Sequence, residues 1–417
     1  MADTGTARPR TARLVVILGG LVAFGPLSID MYLPALPQIA GDLGSGPSQI
    51  QLTLTACTIG LALGQMIAGP LSDTLGRRRP LLVGIAAYTL TSLLCALAPS
   101  AQALIGLRVL QGLGGAAGIV IARAVVRDLY SGAAMARFFS LLMLATGTAP
   151  VFAPVLGGQV LRLMSWRGLF VILGVIGLLL LLAAAFGLRE TLPAENRRPG
   201  SLLATLRVFG SLLADRSFVG YALSGALAFA TMFAYISGSS FVLQDVFGMS
   251  PQAFSLVFGA NSLGIVLVGQ LNGWLVGRAE PRRLLVIGLS VIVFGTASLL
   301  LAVLTGVGLA GVLPALFVVV SSIGMVFPNT TALALAGRQE VAGSASALLG
   351  VLQFLIGGLI APIVGTAGGG TAVPMAVLMT ALGAAAMLVF LTLARGGSGA
   401  AASKEEVGAS DAAGPQT

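Results

Sequence analysis

Apolar runs long enough to cross a hydrocarbon core, about 20 residues each, recur along nearly the whole of this chain. Twelve can be read in its 417 residues, near 14–33, 49–71, 80–98, 102–125, 137–161, 168–188, 217–240, 252–276, 283–304, 309–335, 342–366 and 373–394. In a bilayer the backbone polar groups must be satisfied within the crossing segment, so each run predicts a helix. Charged residues make up 9% of the chain, against about 25% in soluble proteins, and the mean hydropathy is +1.00. The expected fold is an all-α integral membrane protein of twelve transmembrane helices.

The formal net charge of +9 follows the topology of such a protein. With the N-terminus in the cytoplasm, the cytoplasmic segments hold Arg8, Arg10, Arg13, Arg77 to Arg79, Arg123, Arg127 and Arg137. They also hold Arg189, Arg197, Arg198, Arg207, Arg216, Arg278, Arg282, Arg283, Arg338, Arg395 and Lys404, while the opposite face has Arg162 and Arg167. This asymmetry is the positive-inside rule. It predicts a multi-pass protein of a cell's inner membrane with both termini cytoplasmic, and makes nucleic acid an unexpected partner. Arg8 to Arg13 before an apolar run also fits a signal peptide, but the run is long and no small-x-small cleavage pattern follows, which favours an uncleaved first span. Cys57 and Cys95 fall inside spans and read as packing residues, with no disulfide or metal site implied.

The polar segment from Arg189 to Arg216, with Pro193, Pro199 and Gly200, separates six spans from six. The expected organisation is a first six-helix bundle over 1–188, a cytoplasmic linker over 189–216, a second bundle over 217–395 and a disordered cytoplasmic tail over 396–417. Ala153 to Gly157 (Ala-Pro-Val-Leu-Gly) resembles Ala361 to Gly365 (Ala-Pro-Ile-Val-Gly) at an offset of 208, and Gly64-Gln65 returns as Gly269-Gln270 at an offset of 205. Two similar offsets near half the chain argue for parallel duplication. Pro47-Ser48 and Ser250-Pro251 suit the starts of spans 2 and 8.

The chain has no histidine, and its one lysine is Lys404 in the tail. A phosphate-binding loop of the Gly-x-x-x-x-Gly-Lys type is therefore absent, as are a Ser-His-Asp triad and an imidazole-based zinc centre. The chain is not expected to be an enzyme or to need a cofactor; the energy for transport would come from a gradient of protons or another solute.

Asp30 and Arg108 are the charges set inside spans, in spans 1 and 4. A charge at the bilayer midplane costs roughly 2.5–3.5 kcal/mol on insertion scales. Asp30 is placed near the end of its helix and Arg108 about two turns inside its own, at similar depth. The expectation is that they face one cavity and influence each other: enclosure favours the neutral acid and a nearby guanidinium the charged one. Snorkelling of both to the interface is the plainer alternative. Gln111 shares the helical face of Arg108.

Spans 2 and 3 are joined by Gly69-Pro-Leu-Ser-Asp-Thr-Leu-Gly-Arg-Arg-Arg79. Its pattern Gly69, Asp73, Gly76, Arg77, Arg78 resembles the loop signature of the major facilitator superfamily. That resemblance implies a latch between the halves, with Asp73 near the start of helix 11 and Arg77 paired to Asp128; an ordinary basic membrane anchor is the alternative. The counterpart after span 8 keeps Gly273 and Gly277 but has Val276 and Arg278 where an acid would fall. Arg108-Val-Leu-Gln111-Gly112 looks like the superfamily's helix 4 motif, whose arginine is implicated in proton transfer. Gly147, Pro150, Pro154, Gly157 and Gly158 in span 5 are similar to the motif that distinguishes antiporters, although the expected Gly-Pro reads Ala153-Pro154; a plain kinked helix is the alternative.

The segment Ile29-Asp-Met-Tyr-Leu-Pro-Ala-Leu-Pro37 narrows the resemblance to the Bcr/CflA-type multidrug efflux subgroup, as do Ile236 to Gln244 and Phe247 to Pro251. It implies a proton-coupled exporter of chloramphenicol- or bicyclomycin-like drugs, and the chain is expected to work as a monomer. Asp30 would handle substrate and protons, and the pocket would lie between the halves, with Tyr32, Phe233 and Tyr235 as candidate lining residues. An exporter or symporter of a metabolite or amino-acid derivative on the same fold is the nearest alternative, and a membrane receptor or assembly factor without transport a more distant one.

Overall fold

The computed structural model describes residues 7–197, 202–338, 341–366 and 370–394; the tail expected over 396–417 lies outside them, as do Pro199 and Gly200 of the linker. Regular structure among the described residues is helical, apart from one isolated bridge between Val276 and Ala279. Eleven helices are individually long and apolar enough to cross a membrane, and a bent pair supplies a twelfth span.

The bent pair is span 1. It comprises α1 (Ala7–Val22), α2 (Phe24–Asp30), a 3-10 turn (Leu33–Ala35) and α3 (Leu36–Asp42), with a bend of 44°. This span continues to Asp42, beyond the boundary near residue 33 expected from sequence. Pro34 and Pro37 each occupy the first turn of a new segment, where the missing N–H costs no hydrogen bond. Asp30 consequently lies well inside the span and not near its end.

Spans 2 to 6 are α4 (Pro47–Leu75), α5 (Arg78–Ala96), α6 (Ala101–Leu129), α7 (Gly132–Val160) and α8 (Trp166–Gly187). The segment read as a linker contains a further helix, α9 (Leu202–Ala214), whose Phe209 and Leu212 join the core of the second half. Spans 7 to 12 are α10 (Arg216–Phe241), α11 (Pro251–Leu275), α12 (Pro281–Thr305), α13 (Leu309–Leu335), α14 (Ala342–Thr366) and α15 (Val373–Leu393). Ser250 caps α11 by accepting from Ala253 N at 3.2 Å, as its sequence predicts. Ser48 instead sends its hydroxyl across to Pro362 O.

The duplication is visible in packing. A Cβ on Gly112 of α6 would strike the Cys57 carbonyl of α4, and one on Gly324 of α13 would strike the Ile265 carbonyl of α11. Span 4 thus lies on span 2 as span 10 lies on span 8, each through a glycine that lets backbones approach.

Buried side chains form three cores. One is shared by both halves and collects Leu33, Leu54, Leu104 and Trp166 with Phe233, Phe254, Leu316 and Met375, all toward the arginine-poor end. At the arginine-rich end the halves have separate cores, one around Leu18, Ile85, Val125 and Leu142 and the other around Phe218, Leu289, Val326 and Phe390, on which Met66 of span 2 also packs.

Candidate functional site

Arg108 is fully buried, one helix away from the bend of span 1. Its Nη2 donates to Ser28 O at 2.8 Å, its Nη1 to Gln111 Oε1 at 2.6 Å and its Nε to Thr53 O at 3.4 Å. The guanidinium lies over the rings of Tyr32, 4.6 Å from the centroid, and Phe170 at 5.7 Å. Gln111, one turn on, passes the connection to Ser92 Oγ at 2.8 Å. The cation is thus held by carbonyl dipoles and aromatic faces and fastens spans 1, 2 and 3 to span 4; such partners are what a desolvated guanidinium needs. Tyr32 is buried here, its hydroxyl bonded to Thr53, within the core shared by both halves.

Asp30 does not join this cluster. Among the described residues no hydrogen bond or ion pair reaches its side chain, which is 6% exposed, and the three donor nitrogens of Arg108 are engaged by Ser28, Thr53 and Gln111 instead. The expected meeting of Asp30 with Arg108 is therefore corrected. Helix geometry supplies the reason, since residues two apart stand about 200° apart around the axis. Ser28 gives its carbonyl to Arg108 and its hydroxyl to Tyr88 at 2.8 Å, so Asp30 faces away, toward the second half. There it comes within electrostatic reach of Tyr235. Tyr235 stacks on Phe258 at 5.3 Å, and its hydroxyl accepts from Asn261 Nδ2 at 2.9 Å. Phe233, also a candidate lining residue, is buried and stacks on Phe229 at 5.7 Å. Asn261 escaped the sequence reading, although an amide in the middle of a span is itself a signal, being a costly group to bury without a partner.

The two halves meet through side chains that donate to backbone carbonyls of the other half. Ser48 bonds to Pro362 O at 3.0 Å, Gln51 to Ser237 O at 3.0 Å and Thr55 to Gly358 O at 2.5 Å. Ser240 bonds to Leu33 O at 2.6 Å, Gln244 to Pro34 O at 3.2 Å and Gln252 to Gly158 O at 2.9 Å. All six lie toward the arginine-poor end. Among the described residues no hydrogen bond or ion pair crosses between the halves at the arginine-rich end. Span 5 helps make the closure. A Cβ on Gly157 would strike Met31 O, next to Asp30, and one on Gly158 would strike the Ser255 hydroxyl of span 8. Pro150 and Pro154 lie inside the same helix, whereas Gly147 has no atom within 4 Å of where a Cβ would stand.

At the arginine-rich end the loop between spans 2 and 3 is tied to its own half. Arg77 Nε donates to Asp128 Oδ2 at 2.9 Å, as the resemblance implies, and its Nη1 donates to Ser72 Oγ at 2.8 Å and to Asp73. Asp73 is 49% exposed in its side chain, and among the described residues it has no bond to the start of span 11. Gly69 accepts from the Ser72 hydroxyl at 2.9 Å. Glu190, which the sequence reading passed over, accepts from the N–H groups of Arg77 at 2.7 Å, Arg78 at 3.2 Å, Thr191 at 3.1 Å and Leu192 at 3.0 Å. Partial burial opposes ionisation of Glu190, but these four donors outweigh it and hold its carboxyl below the usual range. Gly76 has φ +86°, and a Cβ there would meet the Glu190 carboxylate. Arg78 also donates to Ala185 O at 2.7 Å, so the loop is pinned to the end of span 6.

The sequence profile of the Major Facilitator Superfamily matches residues 18–362. The chain is 44% identical over 397 residues to the uncharacterized MFS-type transporter YdgK of Bacillus subtilis (strain 168), covering 95% of this chain and 98% of that protein. It is 30% identical to a bicyclomycin resistance protein homolog of Haemophilus influenzae, covering 91% and 95%. The fold is similar to the crystal structure of the D-xylose-proton symporter, with a TM-score of 0.70 at 18% identity over 92% of this chain and 97% of that one. The shared closure at one end, the separate cores at the other and the loop between spans 2 and 3 are thus features of a multi-pass membrane transporter: the chain belongs to the Major Facilitator Superfamily.

Proposed function

We propose that this transporter is a proton-coupled exporter of small, largely apolar drugs, working by alternating access in the inner membrane with both termini in the cytoplasm. The observation that carries the reading is the enclosed carboxyl of Asp30, without a cation, turned toward the junction of the halves beside Tyr235. An acid enclosed in this way bears its negative charge at a cost that a proton removes. Exposure to water lowers that cost again, so opening and closing of the site can drive uptake and release of the proton. Arg108 serves this cycle by positioning span 1, and the relative named for bicyclomycin resistance supports a drug as the cargo.

With the arginine-rich end cytoplasmic, the six cross-half bonds form the periplasmic seal, and drug would enter from the side where the cores are separate. An inward proton gains about 2.3 kcal/mol per 100 mV of membrane potential, and about 4 kcal/mol supports a thousandfold gradient, so one proton per cycle is adequate in magnitude. The test is drug accumulation in everted vesicles energised by a pH gradient. Uptake of chloramphenicol or bicyclomycin that collapses with a protonophore is expected. Uptake that needs no gradient, or strong export of an amino-acid derivative with none of these drugs, would contradict the reading.

A further inference from the structure

A groove runs between spans 1 and 6 at the arginine-rich end. Its floor is apolar, formed by Val16, Ile17, Leu182, Ala183 and Phe186, and it has a volume of about 580 Å3. Val16 is 70% and Phe186 83% exposed, so this floor opens sideways into the bilayer. Arg13 and Phe186 also line an adjoining hollow of about 360 Å3, whose rim carries Arg189, Glu190 and Thr191. Apolar floor and basic rim therefore form one continuous surface with the polarity of a lipid molecule.

The rim cations have charge to offer. Arg13 donates from Nη2 to the Phe186 carbonyl at the end of α8, and Gly187 leaves it room, since a Cβ there would come within 2.8 Å of Arg13 Nε. Among the described residues neither Arg13 nor Arg189 has an ion pair. Glu190 is the acid on the rim, and its carboxylate is engaged by the N–H groups of Arg77, Arg78, Thr191 and Leu192. The apolar floor leading into two unpaired guanidiniums at headgroup level complements a phosphate ester with an attached acyl chain.

We propose that this groove binds an anionic phospholipid, with an acyl chain along Val16, Leu182 and Phe186 and the phosphate between Arg13 and Arg189. The headgroup then sits against the segment that clasps the span 2–3 loop, so occupancy stabilises that clasp. A free anion would use the rim and leave the floor bare, and a zwitterionic lipid would use the floor with little preference from the rim.

The experiment is native mass spectrometry of the full-length protein in detergent, with dioleoyl phosphatidylglycerol and dioleoyl phosphatidylcholine offered in competition. Preferential retention of phosphatidylglycerol is expected. Arg13→Gln and Arg189→Gln should each weaken it about fivefold, which is about 1 kcal/mol per arginine, while Arg283→Gln on the far half leaves it unchanged. If Arg13→Gln fails to fold, Arg189→Gln, which removes no side-chain bond among the described residues, and Ala183→Trp, which fills the floor, decide the matter. Equal retention of the two lipids, full retention by Arg189→Gln, indifference to Ala183→Trp, or displacement by millimolar inorganic phosphate would each overturn the proposal.

Discussion

Arg108 donates to the backbone carbonyl of Ser28 at 2.8 Å, and so ties span 4 to the helix that carries Asp30 two residues later. The bond leaves the acid free of a counter-charge while fixing the direction in which it points. Both consequences depend on a planar donor that also reaches Thr53 O and Gln111.

Arg108→Lys is expected to fail as a conservative replacement. An ammonium cannot match this forked geometry across three helices while lying flat over Tyr32. Each acceptor left bare costs about 1–3 kcal/mol. Thermal unfolding in detergent should show a lowered midpoint, and gradient-driven transport should fall with it. Wild-type stability and transport in the lysine variant would remove Arg108 from its positioning role.

Gly158→Val should push span 5 off span 8, because a Cβ at this position already meets the Ser255 hydroxyl. Overpacking of this kind costs about 1–3 kcal/mol, and here the cost falls on the conformation sealed at the arginine-poor end. That corresponds to about a 5- to 150-fold shift in population. An impermeant maleimide applied from that end should label Ser48→Cys faster in the valine background. Cys57 and Cys95 are buried and give little background. An unchanged labelling rate would argue against the closure described for this contact.

Glu190→Gln should loosen the clasp on the span 2–3 loop in a pH-dependent way. The folded carboxyl titrates below its usual range, chiefly because its backbone donors outweigh partial burial. Its stabilisation is therefore fully present above the ordinary glutamate range and fades as pH falls through the lower, folded-state value. The variant should be less stable than wild type at neutral pH, and the gap should close in acid. A gap of constant size across that range would show that the charge contributes nothing.

Much of this architecture was legible in the chain itself. Run length gave the twelve spans, and the resemblance carried by Gly69, Asp73, Gly76 and Arg77 implied the loop and the pairing of Arg77 with Asp128. The extent of span 1 was not legible: the run was placed near 14–33, whereas Pro34 and Pro37 each begin a new turn and the helix continues to Asp42. Nor was the orientation of Asp30. Similar depth and opposite charge suggested a pair with Arg108, whereas the angle between Ser28 and Asp30 on one helix turns the acid to the other side. Glu190 was passed over because its role lies in accepting main-chain N–H groups from a loop more than a hundred residues earlier, which no local pattern marks.

The most direct measurement is proton release on drug binding, followed with a pH indicator in weakly buffered detergent solution of the purified transporter. Wild type should release a proton when chloramphenicol or bicyclomycin is added, and Asp30→Asn should bind drug and release none. Equal release from Asp30→Asn would contradict the assignment of this carboxyl as the group that couples drug to proton.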